Sequence, residues 1–148
     1  MKVYIAGPMT GLPQFNIPAF DQAAYDLRSI GFDVVSPAEL DNPETRKAAL
    51  ASPDGALGTG TSNGETWGDF LARDVKLIAD SGVEGIVLLY DWHKSRGACL
   101  EVTVGLLCGV KFALYDRHAI GFVRHVGPSW VLDQLHSGFA AQLKITRT

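Results

Sequence analysis

The sequence predicts an α/β fold in which a mainly parallel sheet carries helices on both faces. Four short apolar segments have the length and β-branched composition of buried strands, namely residues 2–6, 32–36, 84–90 and 110–116. Segments with helical spacing of apolar residues fill the intervals between them. Strands that alternate with helices at these lengths are typical of parallel sheets.

The first half of the chain follows this alternation. The strand "KVYIA" runs into the glycine- and proline-rich loop "GPMTGLPQFN" (7–16). The next apolar positions follow helical spacing over residues 17–30, with Pro18 tolerated in the first turn and Gly31 as the terminator. The strand "FDVVS" then ends at a proline.

The second half repeats the pattern. A helix is predicted over residues 67–79, and residues 98–108 are apolar nearly all round, as expected of a helix packed deep against a sheet. The segment "GFVRHV" (121–126) is a candidate fifth strand, and a last helix is predicted over residues 128–143.

Residues 41–66 interrupt the alternation. They read as a possible short helix followed by a polar loop rich in glycine, serine and threonine. Loops of this length inside compact domains are usually lids, binding loops or disordered segments, so we interpret 41–66 as a loop insertion. The sequence has no repeats and no interdomain linker, so residues 1–148 are predicted to form a single domain.

The composition limits the classes of binding partner that we expect for this protein. A net charge of −3 and a pI of about 5.7 give no electrostatic reason to expect polymeric nucleic acid or an anionic membrane. A small phosphorylated ligand needs only local positive charge and stays possible. The short apolar opening and the lack of a long apolar stretch predict neither a signal peptide nor a membrane span, so we expect a cytoplasmic protein.

Two signatures of common sites are missing. The four histidines form neither an HxH nor an HxxxH pair, so no metal site is predicted. No glycine-rich segment ends in GK(S/T), which excludes Walker-type phosphate binding. No cofactor is expected.

Ligands in open parallel sheets bind at the carboxyl ends of the strands, which here are followed by the loop 7–16 and the loop "DWHKSRG". The second loop enters a helix, so Ser95 and the backbone N–H groups near Gly97 are placed to receive an anion. Lys94 and Arg96 would strengthen that site. An ordinary solvated loop with an N-cap is the alternative interpretation.

Two acidic residues stand in apolar helical surroundings. Glu101 lies about one turn inside the helix, where burial and the helix dipole act on its ionisation in opposite directions and leave a candidate nucleophile. An exposed glutamate is the alternative. Asp74 falls on the apolar stripe of its own helix and therefore either meets a local partner, such as Arg73, or faces a ligand cleft.

Three ordered motifs carry a family resemblance: "VYIAGPMTG", "DFLARDVKLI" and "DWHKSRGACLEVTVGLLCGV". Together they resemble the nucleoside 2-deoxyribosyltransferase superfamily, and most of all its small bacterial and phage proteins and the deoxynucleoside 5'-monophosphate N-glycosidases. The resemblance covers residues 1–115 without the insertion. It implies a flavodoxin-like (Rossmann-like) three-layer sandwich with a five-stranded sheet, and cleavage of an N-glycosidic bond.

The resemblance also implies residue roles. Glu101 matches the nucleophile, Tyr4 the tyrosine that orients it, and Asp74 the acid beside the base. Ser95 matches a serine that binds 5'-phosphate in the nucleotide hydrolases, where the transferases carry an aspartate. The predicted substrate- and phosphate-binding residues are Gly7, Met9, Trp92, Lys94, Ser95, Arg96 and Gly97.

This chain departs from the family pattern in one loop. The hydrolases have an arginine where Met9 and Thr10 stand here, so Arg96 or Lys94 would have to supply the phosphate charge. The families usually complete the site with C-terminal residues of a neighbouring subunit, which implies a homodimer or a higher homo-oligomer. His125 and Ser129 are the candidates for that role.

The expected activity is hydrolysis of a (deoxy)nucleoside 5'-monophosphate to free base and sugar 5-phosphate. Transfer of deoxyribose to a second base would use the same residues. A NAD-cleaving enzyme with a catalytic glutamate and a non-catalytic nucleotide sensor are further alternatives. Phe15, Trp67 and Trp92 are candidates for the wall around the base, although aromatic residues near loops more often belong to the core.

Overall fold

The computed structural model describes residues 1–56 and 65–144, and within these ranges one five-stranded sheet forms the centre of the molecule. The strands are β1 (Lys2–Ala6), β2 (Asp33–Val35), β3 (Gly85–Leu88), β4 (Lys111–Tyr115) and β5 (Val123–Val126). They lie in the order β2-β1-β3-β4-β5, with β1 to β4 parallel and β5 antiparallel to β4. The mainly parallel α/β prediction is confirmed, and the mixed sheet is consistent with a Rossmann-like fold.

The helices are α1 (Ile17–Ser29), α2 (Pro43–Leu50), α3 (Trp67–Asp80), α4 (Arg96–Leu107) and α5 (Pro128–Gln142). The helix α4 begins two residues before the predicted start because Ser95 acts as its N-cap and accepts a hydrogen bond from the Ala98 N–H at 3.2 Å. The helix α2 is the short helix of the predicted insertion. Residues 57–64 of that insertion lie outside the described residues.

Each face of the sheet carries its own apolar core, because successive side chains of a strand point to opposite faces. Tyr4 and Ala6 of β1 belong to a cluster with residues of α3, α4 and α5, whereas Val3 and Ile5 belong to a cluster with α1. Helices therefore cover both faces, as predicted.

The expectation that α4 is buried all round is wrong. Leu100 is 39% and Leu107 is 85% exposed, because α4 forms an outer layer and buries only one side. That side approaches the sheet closely at Gly105, where an added Cβ would lie 2.4 Å from Ile86 Cδ1.

The loop after β1 is held against the start of the insertion. Gly11 N donates to Gly55 O at 2.9 Å, and Gln14 N donates to Ser52 O at 2.8 Å. Gln14, Phe15 and Asn16 are successive left-handed residues with φ of 55°, 51° and 58°. Three such non-glycine residues in a row are costly and persist only where surrounding contacts hold them.

None of the helices in the described ranges has both the length and the apolarity needed to cross a membrane.

Candidate active site

A cavity of about 480 Å³ opens beside the carboxyl ends of β1 and β3. The loop after β1, the helices α2 and α3 and the first turns of α4 supply most of its wall. The predicted site residues that line it are Gly7, Met9, Asp74, Lys94, Ser95, Arg96, Gly97 and Glu101. Segments from widely separated parts of the sequence therefore meet in one cavity. Phe15 and Trp67, two of the proposed aromatic wall residues, also line it.

Trp92 has a different location. It is only 2% exposed and belongs to the apolar cluster that includes Val131 and Leu135 of α5. It is not among the residues that line the cavity. The structure thus places Trp92 in the core, the alternative noted for aromatic residues, because its indole is packed beneath the loop and does not point into the cavity.

Glu101 is a buried carboxyl group on α4 that lines the cavity. It is 6% exposed and forms no ion pair among the described residues. Burial raises the pKa of Glu101 well above its ordinary value, and the nearby negative charge of Asp74 raises it further. Tyr4 and Arg73 act in the opposite direction but do not reverse the shift. The sequence alternative of an exposed glutamate does not apply.

Tyr4, a residue of β1, lies beneath the carboxyl groups of Glu101 and Asp74. Its side chain is fully buried, and its hydroxyl makes no hydrogen bond within the described structure. The hydroxyl nevertheless lies close enough to Glu101 and Asp74 to affect the pKa values of both. Burial and these two carboxyl groups in turn raise the pKa of Tyr4 well above its ordinary value, so the phenol keeps its proton and is available as a donor.

Asp74 satisfies both alternatives that its place on α3 left open. It lines the cavity, and it also has a local partner, because Arg73 Nε donates to its Oδ1 at 2.9 Å. Burial raises the pKa of Asp74, and the ion pair with Arg73 limits that rise. The Arg73 Nη1 donates in addition to Asp41 Oδ1 at 2.9 Å.

The first turn of α4 forms another part of the cavity wall. Ser95 Oγ accepts from Ala98 N–H, while the N–H groups of Arg96 and Gly97 make no hydrogen bond within the described structure. These two groups are orphan donors at the positive end of a helix, which favours an anion.

The two cationic side chains of this turn, Lys94 and Arg96, differ in whether a carboxylate already pairs with them. Lys94 Nζ lies 3.1 Å from Asp91 Oδ2, so its charge is already paired. The Arg96 guanidinium lies 5.1 Å from the centre of the Trp67 ring and has no carboxylate partner in the described part of the chain. Arg96 is therefore the better placed of the two to pair with an anionic ligand.

Two residues of this cavity, Arg73 and Asp41, are not identified as site residues by the sequence alone. The sequence predicts Arg73 only as a partner for Asp74 and places Asp41 in the loop insertion. The position of Arg73 directly before Asp74 is the available sequence signal for Arg73. No periodicity identifies Asp41, because it lies between the turn Pro37–Glu39 and α2 and reaches Arg73 only in the folded chain.

The C-terminal candidates do not line this cavity. His125 on β5 and Ser129 on α5 are both exposed. Their assignment to a neighbouring subunit's site stays a prediction. In residues 1–56 and 65–144 there is no group of three or more histidine, cysteine, aspartate or glutamate side chains that could hold a metal ion.

Comparison with known proteins gives one match. Residues 1–114 match the family model described as "Domain of unknown function (DUF4406)". No curated protein and no solved structure gave a match. The matched range contains Tyr4, Asp74 and Glu101 and ends before β5 and α5. Because the match covers most of the chain, this protein belongs to the DUF4406 family.

Proposed function

We propose that this protein hydrolyses the N-glycosidic bond of a (deoxy)nucleoside 5'-monophosphate. The observation that carries the proposal is one cavity with two chemically different walls. A buried carboxyl group, Glu101, lines it together with the orphan N–H groups of the first turn of α4. The first suits the sugar carbon of a nucleotide, and the second suits its phosphate.

The proposed reaction begins with cleavage of the bond between C1' and the base. The bonding electrons leave with the base, and positive charge develops at C1'. The carboxylate of Glu101 stabilises that charge or forms an ester with C1'. Asp74 binds the departing base or gives it a proton. Water then attacks C1' and its proton passes to Asp74, or to the free base if that left as an anion. Any ester bond between C1' and Glu101 breaks in this step, which releases the sugar phosphate and restores the Glu101 carboxylate.

The burial of the two carboxyl groups supports these roles. A poorly solvated carboxylate is a stronger partner for a developing cation than a hydrated one. Burial raises the pKa of Asp74, which makes its carboxyl group a better proton carrier than an exposed aspartate. The protonated Tyr4 phenol would donate to Glu101 and hold it in one rotamer.

The strand order supports a flavodoxin-like fold, which is part of this proposal. The order β2-β1-β3-β4-β5 is that of a flavodoxin-like sheet, apart from the antiparallel β5. In such sheets ligands bind where the strand order reverses, which here is between β1 and β3. The cavity lies at this place.

Deoxyribosyl transfer between bases is the second candidate, because Glu101 and Asp74 would serve it equally. Ser95 favours the nucleotide hydrolase, since a hydroxyl can donate to phosphate and the aspartate of the transferases would repel it. No feature of the cavity favours NAD cleavage, or ligand sensing without turnover, over hydrolysis of a nucleotide.

The test is release of free base from a panel of nucleoside 5'-monophosphates, the matching nucleosides and NAD. We expect cleavage of a monophosphate in preference to its nucleoside. Ser95→Asp is the informative variant, because aspartate caps a helix as well as serine does and so keeps α4 intact. It should weaken the nucleotide by at least about tenfold, on the scale of losing a hydrogen bond to a charged group.

Ser137→Asp on the exposed side of α5 is the control for an added charge and should leave both substrates unaffected. A wild-type protein that prefers free nucleosides would return the transferase to first place. Equal weakening of nucleotide and nucleoside by Ser95→Asp would show that this turn does not bind phosphate.

A further inference from the structure

Arg73 connects two parts of the cavity wall that are far apart in the sequence. Its Nε donates to Asp74 on its own helix, and its Nη1 donates to Asp41 just before α2, both at 2.9 Å. All three residues line the cavity. The side chains of Asp41 and Asp74 are 13% and 9% exposed and that of Arg73 is 30% exposed, so the bridge is largely shielded from water.

Among the described residues, no other cation of the cavity bridges its acidic residues as Arg73 does. Lys94 is paired with Asp91, and Arg96 lies over the Trp67 ring. Glu101 and the Tyr4 phenol face Asp74 from α4 and β1, and neither carries a positive charge. Arg73 is thus the cation that contacts the acidic groups of the cavity among the described residues.

We propose that Arg73 is a positioning residue that aims Asp74 at the base, and that Asp41 is the anchor that holds Arg73 in place. The inference rests on the proposed function, because the base is the group at which Asp74 is aimed. The physical reason is geometric. A guanidinium is a rigid planar fork, and donating along two directions to two carboxylates leaves it little freedom to rotate. Because Arg73 Nε donates to Asp74, the Asp74 carboxylate is held in one position as well.

Arg73 and Asp41 have opposite electrostatic effects on Asp74. Arg73 lowers the pKa of Asp74, whereas the negative charge of Asp41 raises it. Arg73→Gln should therefore raise the pKa of Asp74. In Asp41→Asn the lost negative charge would lower this pKa and the released Arg73 would raise it, so the anchor is tested by activity: kcat should fall as it does in Arg73→Lys below, and an unchanged kcat would overturn the anchor.

The first experiment is a carboxyl titration by NMR of ¹³C-labelled protein. It compares the wild type with Arg73→Gln. The control removes the same charge from an exposed position on the same helix, Lys76→Gln. We expect a raised pKa of Asp74 in Arg73→Gln and no change in the control. An unchanged or lowered pKa of Asp74 in Arg73→Gln would overturn the bridge.

The second experiment separates position from charge. Arg73→Lys keeps the positive charge but cannot present a fork to both Asp41 and Asp74. It should lower kcat for the nucleotide by about ten- to a hundredfold, the scale of a lost charge-assisted hydrogen bond, while KM changes little. Unchanged kcat in Arg73→Lys would show that only the charge matters and would overturn the positioning role.

These outcomes can be told apart from a failure of the proposed function. The titration needs no substrate, so it tests the bridge even if the wild type cleaves no nucleotide. If Arg73→Gln does not fold, because it leaves buried acidic groups without their cation, the titration uses Arg73→Lys. A raised pKa of Asp74 in that variant supports the bridge, because lysine cannot present a fork to both carboxylates, and no change overturns it.

Discussion

At the scale of single residues, the most informative group is the carboxyl group of Glu101, which is costly to bury. Burying a carboxyl group without an ion pair is unfavourable, and a folded protein keeps such a group where something depends on it. Glu101 is buried at the wall of a cavity, beside a second acid, Asp74, and a phenol, Tyr4, whose hydroxyl has no hydrogen-bond partner in the described structure. These properties support the proposed catalytic role of Glu101.

The first residue-scale prediction concerns activity. Glu101→Gln is nearly isosteric and removes the proposed nucleophile, so it should reduce base release by at least about a hundredfold, as loss of a principal catalytic group does. Glu44→Gln, at an exposed position in the first turn of α2, is the matched control and should keep full activity. A folded Glu101→Gln protein with near-normal turnover would contradict the assignment.

At the scale of elements, the structure shows what holds the turn before α4. The carbonyl of His93 in this turn accepts from the Gln142 amide of α5 at 2.8 Å and lies 3.3 Å from the Cys99 sulfur. Gly138 packs α5 directly against the same carbonyl. The turn before α4 thus lies between two helices, and the close approach depends on the missing side chain of a glycine.

The element-scale prediction follows from that approach. A Cβ at position 138 would lie 2.3 Å from the His93 oxygen, which is backbone and cannot rotate away. Gly138→Ala should lower the free energy of unfolding by about 1 to 3 kcal/mol, the usual cost of overpacking. This would be visible in urea denaturation. It reverses the usual gain of about 1 kcal/mol for alanine in a helix.

Gly68→Ala in α3 is the comparison, because an added Cβ there meets only Thr66 Oγ1 at 3.6 Å. This variant should be neutral or more stable than the wild type. If Gly138→Ala behaves in the same way, the contact between α5 and the turn is looser than described.

For the whole molecule, the buried site makes stability depend on pH in a definite direction. The pKa of Glu101 is raised in the folded state, so between its ordinary value of 4.5 and the raised value the folded protein binds the proton more tightly than the unfolded chain. The contribution of Glu101 to the free energy of unfolding therefore falls as pH rises through that window. Glu39 behaves oppositely, because its ion pair with Arg28 lowers its pKa.

The prediction is a pair of opposite trends in urea midpoints measured from acidic to neutral pH. Glu101→Gln should gain stability relative to the wild type as pH rises above about 4.5, since the variant no longer has a buried group to ionise. Glu39→Gln should be less stable than the wild type at neutral pH, and its deficit should shrink as pH falls below 4.5. Parallel trends would show that Glu101 is solvated when the site is empty.

The sequence by itself determined the sheet and the elements that carry the site. Alternating apolar strands and amphipathic helices are local patterns, so the parallel strands and the helices α1, α3, α4 and α5 could be predicted to within a few residues, whereas α2 was predicted only as a possible short helix without bounds. The same patterns singled out Glu101 and Asp74, because a charge on an apolar stripe is conspicuous in one dimension. The proposed anion-binding turn was visible as a serine and a glycine at a helix start.

Only the tertiary structure decided how these residues meet. Trp92 belongs to the core and Leu107 is exposed, because burial depends on what packs against a helix and not on hydrophobicity alone. Asp41 joins Arg73 across 32 positions of the chain, and His93 meets Gln142 across 49. No local pattern contains such pairs, since they form only when parallel strands bring the ends of distant segments to the same edge of the sheet.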